Sequence, residues 1–408
     1  MMNRFFYPAK ALLLGLFTAQ VLASVHIYLS NISLYRFLLA IKNSGYFPIP
    51  NEQSMKGLTE LHTAFFGGLF FTMTIGSTLS LFAITAAWIW HRLFFRNIYL
   101  LAPFLLLWAA VFVAVNFHGF CLLKSSWFLI IPAVAFTSTL KWIPGRMNYP
   151  AAEQRGILES IERPGLRSLV CLWQIKPSST SGGLKQNTKP NTLLHASSII
   201  LLLILWIPQF SNDIFIEFRD RFLLSNSIGE KINSFYYRYT LYPAEAFKSL
   251  DQRLLKSCNL NSVEKKPLKL LLEKELLKHD YLSLPQNERV DLQIIENGGF
   301  LIFKNGDSTV LSLTEREFRS RTRVVLEEFS LKTDRNILFR KLTFFSIFLG
   351  LPITLYLMLY TLFRFTLSSV MSPGKAGGLP RRIYFQKFVN YPLTIFITFQ
   401  FITCLTLE

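Results

Sequence analysis

Apolar residues in this chain come in long uninterrupted blocks, separated by short polar and basic stretches and by one extended region where the periodicity changes. A block of about 20 apolar residues crosses the roughly 30 Å hydrocarbon layer of a bilayer at 1.5 Å rise per residue. Seven blocks meet or approach that length, at 11–28, 64–90, 98–117, 127–140, 193–210, 342–363 and 391–407. The second runs for 27 residues without a charge and is closed by His91 and Arg92. The fourth is short, and an earlier start would bring in Lys124 with its ammonium reaching back to the interface. The first has an alternative reading: a basic start, an apolar core from Ala11 to Phe17 and Val21-Leu22-Ala23 before Ser24 resemble a secretory signal. An uncleaved anchor is preferred, because apolar residues continue through Val25 and Ile27.

Between the fifth and sixth blocks the pattern is that of a folded α+β domain. Ser227 and Glu230 have the spacing of a capping box and place a helix start at Ile228, with a stop before Pro243. Further helices are expected over Ala244–Ser257 and Leu268–Lys278. The period then shortens, and Val290–Ile295, Phe300–Phe303 and Thr309–Leu313 read as strands of an antiparallel meander. Asn297-Gly298 and Asn305-Gly306 supply the turns between them. A last helix, Thr314 to Phe329, leads back to the sixth block. The chain thus reads as mainly α: a polytopic transmembrane helical bundle of about seven spans with an inserted extracytoplasmic α+β domain. The transmembrane parts are 1–210, with a loop at 141–191, and 342–408; the inserted domain is 211–341.

Charge orients the arrangement and removes one function class. The 408 residues are 51% hydrophobic and 17% charged, against about a quarter charged in soluble domains, and the formal net charge is +18. The inserted domain holds 22 basic against 19 acidic residues, so the excess lies in the loops. With the N-terminus inside, inner segments hold 17 basic residues and the short outer loops 4. This is the positive-inside bias of a membrane protein and not a nucleic-acid footprint. The partners implied are the lipid bilayer and a protein of the membrane or envelope, with no nucleic acid. The location implied is a bacterial inner (plasma) membrane, with the N-terminus cytoplasmic.

Candidate chemistry is sparse. There is no phosphate-cradling GxxxxGK[ST] or GxGxxG loop, no HExxH and no GxSxG elbow. The spans contain no Asp or Glu, which counts against ion-coupled transport. Cys121, Cys171, Cys258 and Cys404 are too scattered for a zinc framework or a disulfide scaffold. No catalytic residue, metal or cofactor is assigned. One binding cluster is considered, at the outer membrane level: His26, Glu60, His62 and His118. Imidazoles suit transition metals and proton transfer near neutral pH, but nothing in their spacing fixes a geometry. His91 and His195 fall at the opposite face.

Gly68, Thr72, Gly76 and Ser80 form a four-residue stripe for close helix packing. Gly350 and Pro352 predict a kink. The aromatic run Phe235 to Tyr242 suits headgroups, a glycan or a core. The leading reading is a non-enzymatic membrane subunit or assembly scaffold anchoring a partner-binding domain. Behind it stand a permease-type subunit for a lipid or hydrophobic solute, and a membrane-embedded enzyme acting on lipid-linked substrates.

Overall fold

The computed structural model describes residues 3–46, 57–92, 98–117, 120–142, 192–208, 225–227, 229–231, 234, 247–253, 255–284, 290–370 and 379–405. Helix dominates, and a small mixed sheet sits at one end. Helix α1 (Asn3–Asn43) is continuous through the first apolar block and well past it. At 41 residues it is about 60 Å long, twice the thickness of a hydrocarbon layer. Helix α2 (Leu61–Phe71) passes through a π-turn, Thr72–Gly76, into α3 (Ser77–Arg92). A 3-10 turn at Ile98–Leu101 opens α4 (Ala102–Asn116), followed by α5 (Leu122–Trp142) and α6 (Thr192–Trp206).

Three helices among the described residues are long and apolar enough to cross a membrane: Ala9–Asn43, Leu61–His91 and Leu122–Lys141. A fourth is obtained when α10 (Ile337–Phe348) and α11 (Gly350–Val370) are taken as one span bent by 42°. Ala102–Asn116 and Leu194–Trp206 are shorter apolar helices. The last helix, α12, runs from Leu379 to Leu405. The 141–191 loop lies outside the described residues beyond Trp142, as does the aromatic run 235–242.

The small-residue stripe lies against α1. Antiparallel packing sets Gly15 beside Ser80, Ala19 beside Gly76 and Ser24 beside Gly68. A Cβ on Gly76 would stand 2.5 Å from that of Ala19, so the two backbones approach as only a glycine allows. Between these contacts Gln20 is buried and fully used. Its amide donates to the Phe65 carbonyl at 2.7 Å and to Ser24 Oγ at 3.2 Å, and its oxygen accepts from Thr72 Oγ1 at 2.8 Å. The chain runs as helix straight through Ala23–Ser24, the position of the signal-like motif.

The sheet has the order β2-β1-β3-β4-β5, from β1 (Lys256–Ser262), β2 (Tyr281–Ser283), β3 (Leu292–Asn297), β4 (Phe300–Asn305) and β5 (Ser308–Thr314). The expected meander is there: Ile294 pairs with Phe303, and Phe303 with Leu311. Gly298 and Gly299, at φ of 58° and 85°, make the tight turn that strand twist demands. Two parallel strands extend the sheet, and they correct one expectation. The described residues of the expected helix Ala244–Ser257 are not helical: Phe247 and Leu250–Gln252 lie in turns, and Lys256 begins β1. In Lys-Ser-Cys-Asn-Leu-Asn-Ser the apolar Cys258 and Leu260 alternate with Ser257, Asn259 and Asn261 and enter the core, while flanking polar groups find fixed partners. Asp291 accepts from the Ser257 N–H and hydroxyl at 3.0 and 2.9 Å, and Lys256 donates to the His279 carbonyl.

Helix α7 (Lys266–Leu277) crosses between the parallel strands β1 and β2. The expected 314–329 helix is two, α8 (Glu315–Ser320) and α9 (Thr322–Thr333), because Arg321 leaves the helical region at φ −147°. Thr314 caps α8 and shares a reciprocal capping box with Glu317. The earlier helix start shifts by one residue: Asn226 Oδ1 accepts from the Gly229 N–H at 2.7 Å, so Asn226 and not Ser227 is the cap. One sheet face, with Leu260, Ile294, Phe303 and Leu311, buries α7 and α9 through Leu272, Leu276, Val325 and Phe329.

Gly76→Val should cost about 1–3 kcal/mol through forced separation of α1 and the π-turn, read as a lower thermal midpoint in detergent. Gly57→Val, where a Cβ meets nothing within 4 Å, should leave the midpoint unchanged; equal effects would contradict the packing.

Candidate functional site

The sheet domain meets the bundle at a joint made by three elements. The upper part of α1 runs beyond the apolar block and buries Leu38 and Ile41 against Leu282 of β2 and Leu284 just after it. Burial, and then the Glu273 carboxylate on α7, raise the phenol of Tyr46 above its usual range, as a ring seated against the domain requires. Below this contact lies an aromatic box. Phe247, from the segment leading into β1, stacks on Phe339 of α10 at 4.4 Å between centroids. Phe71 and Trp127 close the box at 4.7 and 6.2 Å from Phe247.

A polar clamp holds the third element, the turn between α9 and α10. Lys124, buried at the start of α5, donates to the Arg335 carbonyl at 2.7 Å. It therefore points into the protein rather than reaching for the interface. Asp334 receives both guanidinium nitrogens of Arg340, and its Oδ1 also accepts from the Asn336 N–H at 2.9 Å. Arg340 donates a further bond to the Phe247 carbonyl at 2.9 Å. The clamp therefore ties the entry to β1 and the exit from α9 to one carboxylate and one guanidinium, and Lys124 ties the start of α5 to the same turn. A bidentate pair of this kind fixes geometry as well as charge.

The histidine cluster divides. His26 lies inside the aromatic box, edge-on to Trp127 at 5.6 Å and to Phe247 at 5.0 Å. Its Nδ1 is buried and makes no hydrogen bond among the described residues. His62 sits at the exposed start of α2, with Nε2 3.1 Å from Glu60 Oε2. His118 lies outside the described residues. No group of three His, Cys, Asp or Glu side chains among the described residues is placed to hold a metal ion. Cys258 is also chemically quiet: burial, then Glu273 and Asp291, push its thiol up to about 12, so it stays protonated near neutrality.

A second constellation was not anticipated. His195 of α6 stands among Tyr356 and Tyr360 of α11 and Tyr391 of α12, with ring centroids 6.1, 4.5 and 5.1 Å away. The Tyr356 hydroxyl lies 3.3 Å from Nδ1 and the Tyr391 hydroxyl 3.3 Å from Nε2. A neutral imidazole donates from one nitrogen and accepts at the other, so both hydroxyls are satisfied. The cluster locks three helices together. Its only sequence signal is the four-residue spacing of Tyr356 and Tyr360, which puts them on one helix face.

The kink residues also find their reason in packing. The axis breaks at Leu349, where Pro352 lacks an N–H for the Phe348 carbonyl. Gly350 lies so close to Ser77, Thr78 and the Thr74 carbonyl that no Cβ fits there. The break is thus seated on the π-turn.

Asp334→Ala should lose about 3 kcal/mol or more, because Arg340 is left without its counter-charge. His26→Phe should hold or raise the thermal midpoint, since a ring with no polar partner replaces an imidazole that has none here. A midpoint that falls for His26→Phe as far as for Asp334→Ala would contradict a packing role for His26. Searched against known proteins, the chain matches no family model, no curated protein and no solved structure.

Proposed function

We propose that this protein is an integral membrane subunit or assembly scaffold that holds an extracytoplasmic α+β domain for a protein partner in the membrane or envelope. The observation that carries the reading is the joint: a helix about 60 Å long, an aromatic box and the Asp334–Arg340 clamp leave the domain no free hinge at these contacts. A domain fixed in position above a bilayer suits a docking platform better than a tethered catalyst. The β2 edge of the sheet is covered by α1, while β5 is an open edge among the described residues. An open edge and the exposed Phe300 are features to which an extended segment of another protein can add.

The topology belongs to the same proposal: about seven spans, with the N-terminus cytoplasmic and residues 211–341 outside. It is supported by the ends of the helices. The start of α2, the end of α4, the start of α5 and the start of α10 gather beside Phe247 at the sheet end, whereas the helix directions carry Arg92, Lys141 and Arg364 towards the other. The basic end is then the cytoplasmic one.

A permease-type role for a lipid or hydrophobic solute is the second reading. It is favoured by the seating of the α10–α11 break on a π-turn, since both irregularities recur at moving parts of membrane helices. An apolar cleft of about 480 Å³ lies beside it, between Leu12, Leu13, Leu81 and Ile84 on one side and Leu355, Met358 and Leu362 on the other.

Single cysteines in a cysteine-free chain should settle the orientation. Asp307→Cys should react with an impermeant maleimide on intact cells, and Lys176→Cys only after the membrane is opened; the reverse order would overturn the topology. Purification in mild detergent should bring a stoichiometric protein partner that Phe300→Asp releases without changing the thermal midpoint. A chain that purifies alone under every mild condition would remove the scaffold reading.

A further inference from the structure

We propose that the groove between α4 and α10 is a binding site for one anionic phospholipid, with its phosphate on Lys341 and an acyl chain along α4. The groove is open, has a volume of about 740 Å³ and is lined by Leu106, Ala109, Ala110, Val113 and Ala114 of α4, by Phe117 at its end, and by Ile337, Leu338 and Lys341 of α10. Lys341 is the one polar side chain in that lining. Among the described residues it makes no salt bridge, whereas its neighbour Arg340 is spent on Asp334 and Lys124 on a backbone carbonyl. No Asp or Glu lies in α4 or α10 to repel an anion.

Depth and shape name the occupant. Leu105, Leu106, Leu107 and Val113 turn more than half of their surface outward around the groove, as side chains facing hydrocarbon do. Lys341 stands only four residues into α10, about 6 Å below its start, where a long side chain reaches headgroup level. Small residues at Ala109, Ala110 and Ala114 hollow the α4 face into an open apolar channel. A free phosphate would gain nothing from that apolar channel, and a wholly apolar solute nothing from the ammonium. An amphiphile with one anionic head and an alkyl tail uses both. The site stands whether the protein scaffolds or transports, because it depends only on the groove. It does place a lipid against the helix that carries the Asp334–Arg340 clamp, where occupancy would brace the joint.

The test uses the full chain in discs of phosphatidylcholine containing a minority of phosphatidylglycerol with a photoreactive acyl chain. Crosslinked peptides should map to Ala109–Phe117 and 337–341 above the level at the exposed Ile204 of α6. Lys341→Gln should reduce that labelling about fivefold, the worth of one basic residue at a charged surface, and Lys341→Arg should restore it. Ala110→Trp should abolish it by filling the groove, with Ala110→Ile as the milder substitution if the tryptophan disturbs folding. Labelling spread evenly over the lipid-facing helices, or unchanged in Lys341→Gln and both groove-filling variants, would overturn the proposal.

Discussion

Helix α1 is about 60 Å long, twice the thickness of a hydrocarbon layer, so its part beyond the first apolar block projects from the bundle as a rod. That single constraint shapes most of what surrounds it. Its lower part supplies the surface on which α2, the π-turn and α5 pack, through Gly15, Ala19, Gln20 and Ser24. Its upper part supplies Leu38 and Ile41, against which the β2 edge of the sheet closes. Sheet and bundle are thus positioned by the same element, and the clamp at Asp334 and Arg340 secures the opposite side of the contact. The domain is consequently an extension of the bundle, with little freedom to swing.

Inside the bundle the governing problem is the satisfaction of polar groups where water is scarce. Serine and threonine hydroxyls solve it locally, by donating to carbonyls one turn back, as Thr74, Ser80 and Thr139 do. Larger polar side chains need partners on other helices. Gln20 finds Phe65 and Thr72, Lys124 finds the Arg335 carbonyl, and His195 finds two tyrosines. Each such group works as a cross-helix tie that apolar packing alone would not specify. His26 is an exception, an imidazole with a buried nitrogen and aromatic rings for neighbours, and Asn31 and Asn390 also carry a buried atom without a hydrogen bond among the described residues.

Several features on which the functional readings depend sit within reach of the α10–α11 break. Above it, α10 carries Arg340 into the clamp and Lys341 into the lipid groove; at it, Gly350 meets the π-turn; below it, α11 brings Tyr356 and Tyr360 to His195. A platform needs that segment held still, and a transporter needs it to move. The clamp and the tyrosine cluster, one on each side of the break, both hold it in place.

The sequence by itself determined the elements whose signal is local. Apolar blocks placed the apolar helices, of which three, or four with the bent pair, are long enough to cross a membrane among the described residues. Asn-Gly turns and a shortened period placed the meander at 290–313, against 292–314 in the structure, and the spacing from Gly68 to Ser80 marked a packing face. Tertiary structure alone decided the rest, because the deciding partner was distant in the chain. Lys256–Ser262 is an inner strand between Tyr281 and Leu292, and the alternation from Ser257 to Asn261 is too short to announce it. Phe247 enters the box through Phe71, Trp127 and Phe339, none of them near it in sequence. His26 reads as a candidate ligand from its level in the membrane, yet a helical wheel cannot say that its neighbours are carbon rings. Lys124 reads as an interface anchor until Arg335, 211 residues away, offers it a carbonyl.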